Sequence, residues 1–434
     1  MTTFPDAVAR LDRRQPEHMP EPSLDRIRAI TELLDDPQLT YPTIHVTGTN
    51  GKTTIAHAAV AAACAHGVTA GRYISPHLLT VRERISVCED PISEQEFAEE
   101  WEHLEPVLEV VDAKGTGETT YFEVVTALAF LWFADKPVGL GVFEVGMGGS
   151  WDATNLIAGD VAVIGEVSLD HPELGSTVRE VATEKAGIIK EGKSVVVRRQ
   201  PDDDAMKVIE ERAREVDATP LLEGRDWEAE GRVPAVGGQS FRIRAVHGTY
   251  EDLFLPMFGE HVVRNTAAGV VAFESLLGHQ LNGEALRSAL ASLRIPGRLE
   301  IAGRSPTILL DGAHNPAGAE ALARSLGEAF VAERLHVVLA VSSNKDLDGV
   351  IAPLAPITDA WYAAQNENVR SFRAEHVAER IAAAGGRVAD LGTVAEMLAA
   401  ARDAAAEDDL ILVTGSLYTV ADARRAQETQ GRGS

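Results

Sequence analysis

Cysteine is nearly absent: the 434-residue chain has only Cys64 and Cys88. That is too few for a disulfide framework or a cysteine-based zinc site. Positive charge is short as well. Forty Lys and Arg stand against 66 Asp and Glu, a net charge of −26, and so acidic a surface repels phosphate backbones and anionic lipid. The balance weighs against nucleic acid or a membrane as partner, although a basic pocket inside that field can still take small anions. No uninterrupted apolar run reaches transmembrane length, and Met1-Thr2-Thr3-Phe4-Pro5-Asp6 lacks the charged and apolar regions of a signal peptide. No repeat of solenoid period is visible. What remains is globular, 45% hydrophobic and 24% charged, and the expectation is a soluble, cytoplasmic protein of two or three domains.

Residues before about Pro42 read as helical pieces broken at Pro16, Pro20 and Pro22. Beyond them, apolar runs alternate with helical patterns. Strands are expected at 41–47, 70–74, 138–145 and 161–165, and helices at 52–66 and 121–134. This alternation predicts an α/β domain on a mostly parallel sheet. Residues 221–257, Gly-rich and alternating, read as a small antiparallel insert, followed by a helix pair over 262–293. After a break at Pro296-Gly297 the β/α alternation restarts, with strands expected at 308–311, 335–341, 360–364, 387–390 and 410–414. The expected domains are therefore 1–296 and 297–434, with a frayed tail at 427–434.

Thr47-Gly48-Thr49-Asn50-Gly51-Lys52-Thr53 follows a strand and opens a helix. Its glycines let backbone N–H groups turn inward around phosphate oxygens, Lys52 can reach the terminal phosphates, and the Thr53 hydroxyl can ligate Mg²⁺. The general P-loop pattern would put its first glycine where Val46 stands, so the loop is a shortened variant; read alone, it could also be an ordinary Gly-rich turn. Glu144, before Gly146-Met147-Gly148-Gly149, can offer Mg²⁺ a hard oxygen at a strand end, unless it simply meets water. Thr177-Val178-Arg179-Glu180 is a capping box opening a helix expected to run towards Gly192. Lys185 falls on that helix's apolar stripe, where an ammonium is costly unless neutralised, paired or modified. A buried stem with a wet head is the plain alternative.

The loop around Lys52 resembles the ATP loop of the Mur ligase superfamily. Further motifs narrow the resemblance to the folylpolyglutamate synthase/dihydrofolate synthase family. They are Ser75-Pro76-His77-Leu78, Glu83-Arg84-Ile85, Phe122-Glu123, the Glu144 to Gly149 run, Asp152-Ala153-Thr154-Asn155, Asp170-His171 and Glu184-Lys185-Ala186-Gly187-Ile188. Pro296-Gly297-Arg298-Leu299-Glu300 and Asp311-Gly312-Ala313-His314-Asn315-Pro316 follow in family order.

The resemblance implies a two-domain, Mur-ligase-like α/β fold: a P-loop ATPase domain with a mostly parallel sheet, then a smaller Rossmann-like domain. It implies ATP-dependent ligation of L-glutamate to dihydropteroate or folates through an acyl phosphate. ATP contacts are implied at Thr49, Asn50, Gly51, Lys52, Thr53, Asn265, Arg298 and Asp311, and Mg²⁺ ligands at Thr53, Ser75, Glu144 and His171. Two Mg²⁺ sites are expected, the second near a carbamylated Lys185. The acceptor is expected against Thr120, Tyr121, Phe122 and Glu123 and against Trp151, Asp152 and Ala153. Lys52, His171, Lys185, Arg298 and His314 form the implied catalytic set, in a monomer. Three positions depart from the family pattern: Ser150 in place of Arg, Asn344-Lys345-Asp346 in place of Asp-Lys-Asp, and Val81 in place of an aromatic. They keep open a related amide ligase acting on another carboxylate. A non-catalytic nucleotide-binding protein stands further back, because it has no need of Lys52, Glu144, His171 and Lys185 together.

Overall fold

The protein, a computed structural model, is described over residues 2–16, 23–114, 117–169 and 172–431. Two short helices, α1 (Phe4–Leu11) and α2 (Asp25–Leu33), precede β1 (Thr43–Thr47) and α3 (Lys52–Ala65). Then come β2 (Ala70–Tyr73), β3 (Ile85–Val87), β4 (Asp90–Pro91), α4 (Glu94–Asp112), α5 (Tyr121–Asp135), β5 (Leu140–Glu144) and β6 (Val161–Ile164). The run closes with α6 (Val178–Ala186), β7 (Ser194–Val197), α7 (Asp203–Glu215) and β8 (Thr219–Leu222). These strands form one eight-stranded sheet in the order β4-β3-β2-β5-β1-β6-β7-β8. Pairing is parallel from β2 to β8 and antiparallel at β3 and β4.

Every residue of β1 and of β5 is buried, as expected of parallel strands covered on both faces. One apolar cluster packs Phe130 and Phe133 of α5 on Phe143 of β5, with ring centroids 5.2 and 5.6 Å apart. A second joins Ile164 and Val195 to Val181, Ala182 and Ile209 of α6 and α7.

A three-stranded sheet, ordered β11-β10-β9, is built from β9 (Glu228–Ala235), β10 (Gly238–Arg244) and β11 (Thr249–Leu255). The helix pair follows as α8 (Glu260–Leu277) and α9 (Gly283–Ser292). The last part holds β12 (Glu300–Gly303), β13 (Thr307–Leu310), α10 (Pro316–Ala329), β14 (Leu335–Leu339), α11 (Leu347–Leu354) and β15 (Ala360–Gln365). It ends with α12 (Ala374–Ala383), β16 (Val388–Thr393), α13 (Val394–Ala404), β17 (Leu410–Thr414) and α14 (Leu417–Gly431). Its six-stranded sheet runs β12-β13-β17-β14-β15-β16, parallel except for β12. By internal contacts the chain divides into Met1–Arg232, Ser240–Phe254 and Val263–Leu293 on one side, and Val233–Gln239, Leu255–Val262 and Arg294–Ser434 on the other.

Four differences from the sequence reading have local causes. The helix opened by Thr177 stops at Ala186 instead of reaching towards Gly192. Ser150 Oγ lies 2.1 Å from where a Cβ on Gly187 would stand, so the missing side chain makes room for the Ser150 loop against the helix end. The tail is not frayed at 427, because α14 continues to Gly431. Glu300 opens a strand that pairs antiparallel with β13, between the Pro296-Gly297 break and the first strand expected after it. The nineteen-residue α4, begun by a Ser93–Glu96 capping box, is an element the sequence reading passed over.

Cys64 and Cys88 are joined in a single disulfide, with Cα atoms 6.0 Å apart, tying the end of α3 to the turn between β3 and β4. Among the described residues, no helix is long and apolar enough to cross a membrane.

Candidate active site

β1 lies between β5 and β6, with Val46 opposite Glu144 and Thr47 opposite Ile164. The loop after β1, the carboxylate ending β5 and the segment after β6 therefore meet at the C-terminal edge of the sheet, where open α/β folds bind ligands. Gly51 caps α3 with φ +82°, and a Cβ there would come within 2.1 Å of Asn265 Nδ2. The missing side chain lets the Asn265 amide rest on the loop. The Thr49 hydroxyl donates to Ser168 O and accepts from Ser168 N, both at 2.9 Å, lacing the loop to the segment after β6.

Thr53 Oγ1 donates to Glu144 Oε1 at 3.2 Å, and Glu144 is 2% exposed. A hydroxyl beside a buried carboxylate, both hard oxygens, is a donor set that suits Mg²⁺. Half-buried Ser75 follows β2, whose Tyr73 is opposite Phe143, so Ser75 stands at the same edge. Asp170 and His171 lie outside the described residues.

Lys52 Nζ donates to Gly48 O at 3.0 Å and to Thr49 O at 3.3 Å. Lys185, only 4% exposed, donates to the same Gly48 oxygen at 3.0 Å. Two ammonium groups thus converge on one loop carbonyl, lining a recess with Thr49, Gly146 and Ser168. Such a place strongly favours an anion. The neighbour of Lys185, Glu184, receives Gly149 N at 3.2 Å and Trp151 N at 3.4 Å on Oε1, while its carbonyl accepts from Ser150 Oγ at 3.1 Å. The serine that stands in place of the family's arginine is thus a loop anchor.

Asn265 is oriented by residues that sequence reasoning missed. Arg198 donates through Nη1 to Asn265 Oδ1 and through Nε to Glu223 at 3.1 Å. Glu223 also accepts from Arg264 Nε and from Arg199 N, both at 2.6 Å. Burial works against its charge, but Arg198 and Arg264 hold the Glu223 carboxyl below the usual range. No local pattern marks this group, in which Arg198 lies 25 residues from Glu223 and 67 from Asn265.

The expected acceptor residues divide by what their side chains already do. Thr120 and Glu123 form the capping box of α5, and both Glu123 oxygens also accept from Arg26 Nε, at 3.0 and 3.1 Å. Asp152 is fully engaged too: Oδ2 accepts Met147 N at 3.0 Å and Oδ1 accepts Thr154 N at 3.0 Å. Burial raises the Asp152 carboxyl, against the hydrogen bonds from Thr154 and Met147. Ala153 is buried in the apolar cluster of α5, and Trp151 packs partly buried against that of α6.

The half-buried rings of Tyr121 and Phe122 are a different matter. Phe122 fills the space beside Gly146, where a Cβ would lie 2.6 Å from its ring. The Arg84 guanidinium lies 5.2 Å from the Tyr121 centroid and donates to His77 Nδ1 at 2.9 Å. Burial, then the charge of Arg84, push the His77 imidazole down to about 3, so it is neutral near pH 7.

In the second unit, Asp311 follows β13. Its Oδ2 accepts Leu299 N at 2.9 Å and its Oδ1 accepts Ala313 N at 2.8 Å. Burial raises the Asp311 carboxyl, while the charge of Arg298 opposes that rise. His314 Nδ1–H donates to Gly312 O at 2.9 Å, and Gly312 N to Gly297 O at 2.9 Å. Arg298, Asp311 and His314 are thereby gathered on one hydrogen-bonded pair of segments.

A phosphate loop with a strand-end carboxylate, followed by a second α/β unit, is the arrangement of a Mur-type ATP-dependent ligase. Residues 46–273 match the Mur ligase middle domain and residues 297–417 the Mur ligase glutamate ligase domain. The dihydrofolate synthase/folylpolyglutamate synthase of Mycobacterium tuberculosis is 38% identical, over 97% of this chain and 94% of that relative. Crystal structures of M. tuberculosis folylpolyglutamate synthase complexed with ADP and AMPPCP superpose with a TM-score of 0.91 at 37% identity, covering 97% of each chain. E. coli FolC in complex with DHPP and ADP superposes with a TM-score of 0.89 at 28% identity, over 99% of this chain and 98% of that one. The chain belongs to the folylpolyglutamate synthase/dihydrofolate synthase family of Mur ligases, and it is an ATP-dependent glutamate ligase of folate metabolism.

Proposed function

We propose that the chain, a monomer in the cytoplasm, joins L-glutamate to dihydropteroate and to tetrahydrofolate. The working parts are an ATP-binding domain over 1–296 and a ligase domain over 297–434. The acceptor carboxylate attacks the γ-phosphorus of ATP and ADP leaves; the α-amine of glutamate attacks the acyl phosphate, phosphate leaves, and the amide forms with loss of a proton. Lys52 and the loop amides from Thr49 to Thr53 offset charge on the phosphates. Asn265, Arg298 and Asp311 are assigned to the nucleotide and His314 to the reacting groups. The faces of Tyr121 and Phe122, beside neutral His77 and cationic Arg84, suit a flat pterin ring. Thr120, Glu123, Trp151, Asp152 and Ala153 act by shaping that wall.

Thr53, Ser75, Glu144 and His171 are the residues assigned to hold Mg²⁺. When bound, the ion would offset phosphoryl charge and orient the terminal phosphate. Lys185 is assigned a carbamate, formed as its amine adds to CO₂ and releases a proton. A carbamate keeps one N–H for Gly48 O, and it replaces repulsion between two ammoniums with attraction to Lys52. The anion would supply an oxygen donor to a second Mg²⁺ when one is bound. ¹³C NMR of native protein kept in ¹³C-bicarbonate tests this: a carbamate resonance, lost in K185A, is expected, and its absence from active enzyme refutes it.

The observation that carries the function is the meeting of Lys52, Lys185, Thr53 and Glu144 at one sheet edge. The test is ADP release with Mg²⁺-ATP and L-glutamate, comparing dihydropteroate, tetrahydrofolate and no acceptor, with products weighed. Glutamyl adducts on both acceptors are expected. ATP binding with no adduct on either acceptor refutes the folate assignment and turns the search to other carboxylates.

A further inference from the structure

Among the described residues, one group of metal-ligating side chains is left unused by this chemistry. Glu100 and His103 stand one turn apart on α4, and Asp135 is the last residue of α5. One ligand atom from each lies within 4.8 Å of the others. Spacing of i, i+3 puts Glu100 and His103 on the same helix face, and the packing of α4 on α5 brings Asp135 to that face.

Glu100 is what makes the group more than surface charge. It is 6% exposed, flanked in sequence by the buried Trp101. Its Oε2 is shut from solvent and accepts no hydrogen bond, with His103 Nδ1 3.6 Å away. A buried carboxylate oxygen without a donor is costly. Lys136, next in sequence to Asp135, is paired with Glu96.

We propose that Glu100, His103 and Asp135 form a binding site for one divalent transition-metal ion of the zinc class. An imidazole nitrogen with two carboxylates suits Zn²⁺ or Co²⁺ better than Mg²⁺, and three protein ligands leave a fourth position for water. Ligand atoms around a tetrahedral ion stand about 3.5 Å apart, so the group must contract slightly. His103 and Asp135 are exposed and can turn to do so. At 1.5 Å per residue, the ion lies about 20 Å along α5 from the acceptor end. Its role is to clip α4 to α5 rather than to touch substrate.

The test uses full-length, tag-free protein stripped with chelator, without nucleotide. Wild type, H103A and D135N are titrated with Co²⁺, followed by calorimetry and by the visible absorption of the bound ion. Wild type is expected to take up one equivalent that both variants bind about tenfold more weakly or lose. Zn²⁺ is expected to raise the melting temperature of wild type but not of H103A, while Mg²⁺-ATP-dependent turnover of H103A stays at the wild-type level. Equal Co²⁺ uptake and affinity in all three proteins, or no uptake by wild type, overturns the proposal.

Discussion

Replacing Glu223 with Gln removes the charge that holds two arginines behind the phosphate loop. The side chains of Glu223 and Arg198 are 1% and 3% exposed, so the guanidinium left behind has no route to water. Breaking one side of such a buried pair costs about 3–5 kcal/mol. Arg264 is 24% exposed and can rehydrate, and the Gln carbonyl can still accept from Arg199 N, so the lower end, about 3 kcal/mol, is expected.

Urea unfolding should show this as a lower midpoint at an unchanged slope. The Michaelis constant for ATP should rise as well, because Arg198 orients the Asn265 amide on Gly51. Adding Arg198→Met to Glu223→Leu removes the orphan cation, and should recover most of the stability but not the ATP affinity. The carboxyl is held below its usual range in the fold. Its contribution is therefore complete above the ordinary glutamate value of about 4.3 and is lost as pH falls through the lowered one. E223Q should lack that part of the acid sensitivity. A midpoint shift worth under about 0.5 kcal/mol together with an unchanged ATP constant would refute the reasoning.

His77, pushed down to about 3, should show no imidazole titration by NMR between about pH 5 and 8, against about 6.5 for an unperturbed histidine. Because the unfolded chain takes up that proton first, stability should fall as pH drops from about 6.5 towards 3, less steeply in H77Q; a His77 titration near 6.5 sinks the assignment. The disulfide closes a separation of 24 residues, which by chain entropy stabilises by about 3 kcal/mol. Reduction, or C88S, should lower the unfolding midpoint accordingly, and an unmoved midpoint shows that the cross-link is thermodynamically idle. Gly146→Ala sets a methyl 2.6 Å from the Phe122 ring. It should raise the Michaelis constant for the pteroate acceptor about tenfold, roughly 1.4 kcal/mol, with that for ATP unchanged. An equal rise in both would mean that Phe122 does not mark the acceptor wall.

The phosphate loop was legible because its parts are contiguous: strand, glycine turn, lysine and threonine fall within eleven residues, from Thr43 to Thr53. The parallel sheets were legible from apolar runs, since strands covered on both faces must be apolar throughout. Lys185 was legible in part: its place on the apolar stripe of α6 pointed to burial, which the structure bears out at 4% exposure. Its partner, Gly48 O, lies 137 residues away and left no trace in the pattern. Asp152 and Glu123 were likewise legible only in part. Beyond the acceptor contacts that the resemblance implies, the fold uses their carboxylates to cap turns and helices, a use that depends on neighbours such as Met147 and Arg26 and that no local pattern announces.

By itself the sequence determined which segments become strands and helices and where a phosphate could be cradled, because those properties follow from the periodicity and turn chemistry of neighbouring residues. Tertiary structure decided which carboxylates are committed to the scaffold, which cations crowd the loop, and that Arg198, Glu223 and Arg264 stand behind Asn265. Burial and hydrogen-bond partners depend on segments far apart in the chain, and those meet only when the sheet aligns the C-terminal ends of its strands.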